Sequence, residues 1–329
     1  RKFDKENTFR GISGKIRLNI EKVQKALGFL RPFAPEKRKM CNYRDKLKRA
    51  VQLFDDADAI LVFSGAGMAY SAGLHTYESL LRGEFGYFAN KYMLTDVNEG
   101  FVLTSGEDRR AFFALYARVF HDCRACESHK RLMELIRRKP YFIAQTNPDY
   151  VYEKSGANRK NVIHLAGYPH YLQCADACNN DLLPMPREGE PFPVCPVCGG
   201  KMRPFLDIFG DDNFICPKSY IDELVAYSNF VAKYREKRLL VIELECGSHD
   251  HFGFNAPVII HALANSDNIR VISINKYEEH DGKNGRYICF HEPADKVIAD
   301  ILEKRPSQKR GRPSVLSKIM AARNEHILR

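Results

Sequence analysis

Four cysteines constrain this chain more than any other feature. Cys174 and Cys178 are separated by three residues, Cys195 and Cys198 by two, and sixteen residues lie between the pairs. A close pair sets two thiolates on one knuckle, and two knuckles complete the tetrahedron that zinc prefers. Pro196, Gly199 and Gly200 supply a tight turn that lets backbone amides approach the sulfurs. Pro184, Pro186, Gly189, Pro191 and Pro193 mark the intervening stretch as loop rather than buried strand. Because all four ligands are Cys, the site reads as closed and structural, not catalytic. Two disulfides are the alternative. They are disfavoured because no apolar secretory segment follows the charged N-terminus. Cys123 and Cys126 have knuckle spacing without a second pair, and read as part of a helical stretch with no metal.

The remainder alternates strand-like and helical stretches. Ala59–Phe63 is a short continuous apolar run, as expected of a buried parallel strand. Ser64-Gly65-Ala66-Gly67 follows directly, so the backbone can approach a ligand there and the next helix can present its N-terminus to phosphate. By itself Gly-x-Gly is equally compatible with a plain tight turn. Further runs at Tyr141–Ala144, Leu239–Glu243 and Arg270–Ile274 complete the pattern. It predicts a doubly wound α/β sheet whose strand ends carry Thr146, Asn147 and Asp149, then Gly247 and Ser248, then Asn275.

With 329 residues there is room for roughly two domains. Hydrophobic residues at 44% and charged residues at 28% exclude collagen-like, coiled-coil and wholly disordered chains. The longest apolar run lies between Asp58 and His75 and holds Gly65, Gly67 and Gly73, too short and glycine-rich for a membrane span. An intracellular location, cytoplasmic or mitochondrial, is therefore expected, with no membrane association and no secretion.

Charge concentrates at the two ends. Residues 1–50 hold 16 Lys/Arg against 5 Asp/Glu, residues 303–329 hold 8 against 2, and the central body is acidic. Ile20, Val23, Leu27 and Leu30 recur at helical spacing until Pro32 and Pro35, which predicts a basic helical extension. Lys309-Arg310-Gly311-Arg312-Pro313 resembles a minor-groove-binding hook. A solvated basic tail accounts for it more simply, so nucleic acid is not the expected partner.

Four blocks, in order across about residues 51–302, resemble the sirtuins. They are Gly65-Ala66-Gly67; Gln145-Thr146-Asn147-Pro148-Asp149; Val162-Ile163-His164-Leu165-Ala166-Gly167 followed by the zinc ribbon; and Gly247-Ser248 with Ile274-Asn275. The resemblance implies a Rossmann-like NAD-binding domain at 51–167 and 203–302, a small zinc-ribbon domain at 168–202, a basic N-terminal helical extension at 1–50 and a basic tail at 303–329. Its cofactors would be NAD and zinc. Carried over position by position, Gly65, Ala66 and Gly67 would offer amides to the pyrophosphate. Thr146 and Tyr77 would line the cofactor, and Asn147 would hold a ribose or a water. Asp149 would hold the nicotinamide amide, and Gly247, Ser248 and Asn275 would line the adenosine ribose. Asp149 as a helix cap and Ser248 as a turn residue are the structural alternatives.

Where the deacylases of that family read Gly-Ile-Pro-Asp-Phe-Arg, this chain reads Gly73-Leu74-His75-Thr76-Tyr77-Glu78. The family's catalytic His-Gly is here Ala166-Gly167, and Ala cannot accept a proton. The Thr-Asn-x-Asp block, Tyr77 and Gln173-Cys174 resemble the macrodomain-linked class M branch, in which a Gln usually replaces the His. That branch implies protein ADP-ribosyltransfer, with a lipoylated carrier protein or a macrodomain protein as partner. The alternatives are an NAD-dependent deacylase or NAD glycohydrolase with a rearranged base (His170 first, then His75 and His164), and an inactive NAD-binding protein.

Overall fold

A computed structural model describes residues 42–71, 76–187, 189–208, 212–246, 266–276 and 287–304. The expected N-terminal helix, His75, Gly247, Ser248 and the 309–313 basic motif lie outside the described residues. Among the described residues no helix is long and apolar enough to cross a membrane.

The described strands are β1 (Ala59–Ser64), β2 (Tyr141–Gln145), β3 (Val162–His164), β4 (Gly167–Cys174), β5 (Leu183–Pro184), β6 (Met202–Leu206), β7 (Leu239–Leu244), β8 (Ile269–Ile274) and β9 (Tyr287–Phe290). Six of them form one sheet in the order β3-β2-β1-β7-β8-β9, and every pairing is parallel. The apolar runs read from the sequence fall on β1, β2, β7 and β8. All residues of β1, β2 and β7 are buried, because helices cover both faces and neither side can afford a polar alternation.

On one face pack Leu47, Ala50 and Phe54 of the helix Tyr43–Asp56, with Val297, Ile298 and Ile301 of the helix Ala294–Lys304. Their three- and four-residue spacing makes one apolar stripe per helix. The other face is covered by the helix Lys218–Tyr234, through Tyr220, Tyr227 and Phe230. From β1 the chain winds outward to β3, then returns beside β1 as β7 and winds outward the other way. The winding reverses between β1 and β7, so a crevice opens at their carboxyl ends.

A second, antiparallel sheet, β5-β4-β6, carries the cysteine module. The strand β6 therefore pairs within the small sheet. Between β1 and β2 an aromatic cluster of Phe85, Phe88, Phe101, Phe112, Phe113, Tyr116 and Phe120 forms its own helical core. Leu206, Met185 and Phe192 connect that core to the small module.

The helix Glu127–Ile136 buries His129 against Tyr152, ring centroids 4.6 Å apart. Desolvation pushes the imidazole down to about 4. The unfolded chain takes up that proton near pH 6.5, the folded chain only near 4. The site's contribution is thus complete above pH 6.5 and is lost as pH falls toward 4, by about 3 kcal/mol. Urea unfolding across this range should show that acid loss in the native protein and a shallower one in His129→Gln.

Candidate active site and metal centre

At the end of β1, the Gly65 N–H donates to the Leu244 carbonyl at 3.0 Å. A methyl group on Gly65 would lie 2.5 Å from the Glu245 carbonyl oxygen and 2.7 Å from Cys246 Cα. One on Gly67 would lie 2.6 Å from Glu245 Cβ. Only glycine lets these two strand ends close on each other. Ala66 begins a helix, Ala66–Ser71, so the Ala66 and Gly67 amides stand at a helix start at the end of β1. Glycine is required at these two positions by the packing of the loop against Glu245 and Cys246 at the switch point.

Beside it runs the turn after β2. The Thr146 N–H donates to the Ser64 carbonyl at 3.0 Å, which ties this turn to the end of β1. The Asn147 side-chain amide donates to the Asp149 carboxylate. Asp149 Oδ1 also accepts from the Val151 N–H at 3.0 Å, a local turn bond just ahead of the short helix Val151–Lys154, whose N-cap is Tyr150. Its other oxygen takes the Asn147 bond. Gln145 Nε2 holds the Asp149 carbonyl at 2.7 Å. Asn147 and Asp149 are buried, and burial pushes the Asp149 carboxyl above its ordinary range.

Ala166 is buried immediately before β4. Gly167 follows with φ +90°, and a methyl there would lie 2.3 Å from the Phe205 carbonyl oxygen. His164, two residues earlier, is fully buried, with Nε2 2.8 Å from Glu153 Oε1. His170 lies further along β4, bonded to the Tyr150 hydroxyl. Burial, reinforced by His121, pushes it down to about 4, so it is neutral at physiological pH. It lines a cavity of about 310 Å³ with Tyr150, Arg159, Tyr168, Tyr220 and Glu223.

Asn275, at the end of β8, is buried and donates to the Cys246 carbonyl at 3.0 Å. Tyr77 begins the helix Tyr77–Arg82. Sequence reasoning missed two buried carboxylates at and just past the end of β7. Glu243, buried in β7, accepts from the Cys246 N–H at 3.2 Å and from Ser273 Oγ. Glu245, at φ +48°, accepts from the Ala294 N–H at 3.0 Å. Two carboxylates closing an apolar run were the available signal. It also missed the pairing of His164 with Glu153, which no short spacing announces.

The four cysteines meet as expected. Their sulfurs all lie within 4.8 Å of one another. The Gly199 N–H donates to the Cys195 carbonyl at 2.8 Å, forming the knuckle, and the Asn179 side-chain amide donates to Cys195 Sγ at 3.2 Å. Four thiolates with N–H···S support fit a structural zinc ion. Cys123 and Cys126 instead lie in the loop between two helices, which corrects the helical expectation. Cys126 adopts extended backbone, φ −108° and ψ 157°, as the N-cap of Glu127–Ile136. Burial pushes the Cys123 thiol up to about 11, and no metal cluster forms there among the described residues.

No family model matches the chain. A protein ADP-ribosyltransferase of Staphylococcus aureus is 25% identical over 223 residues, covering 62% of this chain and 70% of that protein. An NAD-dependent protein deacylase of Thermus thermophilus is 25% identical over 172 residues, covering 51% of this chain and 65% of the relative. An NAD-dependent protein deacetylase of Caldivirga maquilingensis is 28% identical over 240 residues, covering 66% and 88%. Among solved structures, a Sir2 homolog–NAD complex superposes with a TM-score of 0.56 at 17% identity, covering 83% of this chain and 98% of that one. A Sir2 protein bound to a propionylated peptide gives 0.51 at 16% identity, covering 78% and 98%.

Proposed function

We propose that this chain, a sirtuin by its sequence relatives and by its Sir2-type fold, is an NAD-dependent protein mono-ADP-ribosyltransferase of the class M kind. The observation that carries the reading is Ala166. The buried Asn147–Asp149 pair is kept, while the position of the proton acceptor holds a methyl group. Deacylation needs a base to relay a proton from a ribose hydroxyl, and loss of a positioned base costs about 10²–10⁴-fold in rate. Transfer to a protein nucleophile does not use that relay. The Staphylococcus relative, named a protein ADP-ribosyltransferase, supports the same choice.

When bound, NAD supplies an electrophilic ribose carbon with nicotinamide as the leaving group. In this reading the Ala66 and Gly67 amides take the pyrophosphate, while the Gly65 N–H, expected from the sequence to join them, is held by the Leu244 carbonyl. Asp149 orients the nicotinamide amide, Asn147 steadies the ribose, and Thr146 and Tyr77 line the cofactor. Gly247, Ser248 and Asn275 hold the adenosine ribose. The domain carrying this site would span 51–167 and 203–302, with 168–202 as the zinc module and 1–50 and 303–329 as basic extensions. A lipoylated carrier protein or a macrodomain protein would be the partner, drawn by the basic extension.

Incubation with labelled NAD and acceptor proteins, a lipoylated carrier among them, tests this. Label on protein is the expected result. Acyl-ADP-ribose or free ADP-ribose would make the chain a deacylase or glycohydrolase, and binding heat without turnover would make it an NAD-binding protein. Ala166→His separates these further, because deacylation should appear only in that variant.

A further inference from the structure

None of the residues assigned to NAD lines the cavity of about 310 Å³ that both sheets enclose. Tyr150 comes from the turn after β2, Arg159 from the turn before β3, and Tyr220 and Glu223 from the helix Lys218–Tyr234. The small sheet supplies Tyr168 and His170 from β4 and Phe205 from β6. Small-ligand sites favour such junctions and begin at about this volume, ~300 Å³.

Its walls are rings. The Tyr168 centroid lies 6.3 Å from that of Phe205 and 6.3 Å from that of Tyr150, and Phe205 lies 5.4 Å from Tyr220. The inner hydroxyls are turned to the protein: Tyr220 donates to the Leu165 carbonyl at 2.9 Å, and Tyr150 bonds the uncharged His170 ring. These walls offer aromatic faces without net charge, which suits stacking with a flat ring.

Charge enters as one adjacent pair. Arg159 Nη2 donates to Glu223 Oε1 at 2.7 Å and to the Tyr168 hydroxyl at 2.8 Å, and that hydroxyl donates to Glu223 Oε2. Arg159 Nη1 donates to the Val162 carbonyl at 3.0 Å, and Glu153 stands 4.0 Å from Nε. The guanidinium has more hydrogens, and the carboxylate more lone pairs, than these bonds use. Both side chains also remain open to solvent, 44% and 24% exposed. An anion placed here would meet Glu223, and a cation would meet Arg159. An uncharged group that carries a donor beside an acceptor suits both.

We infer that this cavity binds a flat, uncharged heteroaromatic ring with a carboxamide-type edge, the ring among the tyrosines and the edge against Arg159 and Glu223. The inference stands without the assignment of Asn147 and Asp149 as the reacting centre.

Nicotinamide is the probe, titrated into the full chain and followed by amide-resolved NMR. Saturable shifts are expected at 159, 168–171 and 219–223, besides any at 65–67 and 146–149 in the crevice. Ser219→Trp fills the mouth from an exposed position and should weaken the first set at least tenfold while leaving the second. Arg159→Met keeps the apolar stem and removes the donors, so it should weaken the first set about tenfold, the worth of one hydrogen bond to a charged group. Nicotinate and tetramethylammonium, which carry charge of either sign, should both bind there more weakly than nicotinamide. Shifts confined to 65–67 and 146–149, no saturable shift up to about 10 mM, a titration unchanged in Ser219→Trp, or binding of either ion as tight as that of nicotinamide overturns the inference. Failure of the transferase reading looks different: no label would reach protein, while the shifts at 168–171 and 219–223 would still appear.

Discussion

Stripping zinc with a chelator, or replacing Cys195 with Ser, is expected to unfold the small sheet. The apolar cluster there is Leu172, Cys174, Cys195 and Met202, with Leu183, Met185 and Phe192 packed against it. Two of its four central members are themselves metal ligands. So small a core does not offset the entropy of ordering its loops. A structural zinc site contributes on the order of 10 kcal/mol, much of it as folding free energy. The damage should spread, because β4 begins at Gly167 directly after Ala166, and the Asp207 N–H donates to the Ala166 carbonyl at 3.0 Å. Melting curves with and without chelator, read beside zinc release and limited proteolysis, check this. An unchanged curve after metal removal and in Cys195→Ser would show that the four thiols carry no such load.

The second large effect concerns Asn147. Its amide is the partner of the outer Asp149 oxygen, and both side chains are buried at the end of β2. Asn147→Ala removes a fixed dipole from the centre and leaves a buried carboxylate oxygen without that donor, so the Asp149 carboxyl rises further. Nicotinamide release should fall by about 10²–10³-fold, the usual cost of deleting one preorganised donor. Stability should fall by only about 1–3 kcal/mol, the penalty of one orphaned buried acceptor. Turnover assays paired with thermal melts separate the two effects. Full turnover in Asn147→Ala would remove Asn147 from the chemistry and leave it as a partner of the Asp149 carboxylate alone.

Much of the frame was legible because local rules write it. The runs at 59–63, 141–144, 239–243 and 270–274 became strands because a parallel strand under two helical layers is predominantly apolar on both faces. The cysteine pairs found one another because each knuckle is a local turn. Gly65 and Gly67 were readable as a close approach, but not what approaches them. That partner is Glu245 and Cys246, about 180 residues further along the chain. Cys123 and Cys126 misled for the same reason in reverse, since spacing alone did not show that the chain has left its helix before both of them.

The sequence by itself determined the element types, the tetrathiolate, the glycine-rich strand end, and the absence of a proton-accepting side chain at 166, because each depends on residues within a few positions of one another. Only the tertiary structure decided that β7 returns beside β1, that Glu243 and Glu245 are buried at its end, and that Glu153, His164 and Gln145 meet behind Asp149. Those are matters of which distant segments are brought within 3 Å in a place without water. There a donor or acceptor must find its partner in the protein, and its choice depends on where the chain has crossed, not on its neighbours in sequence.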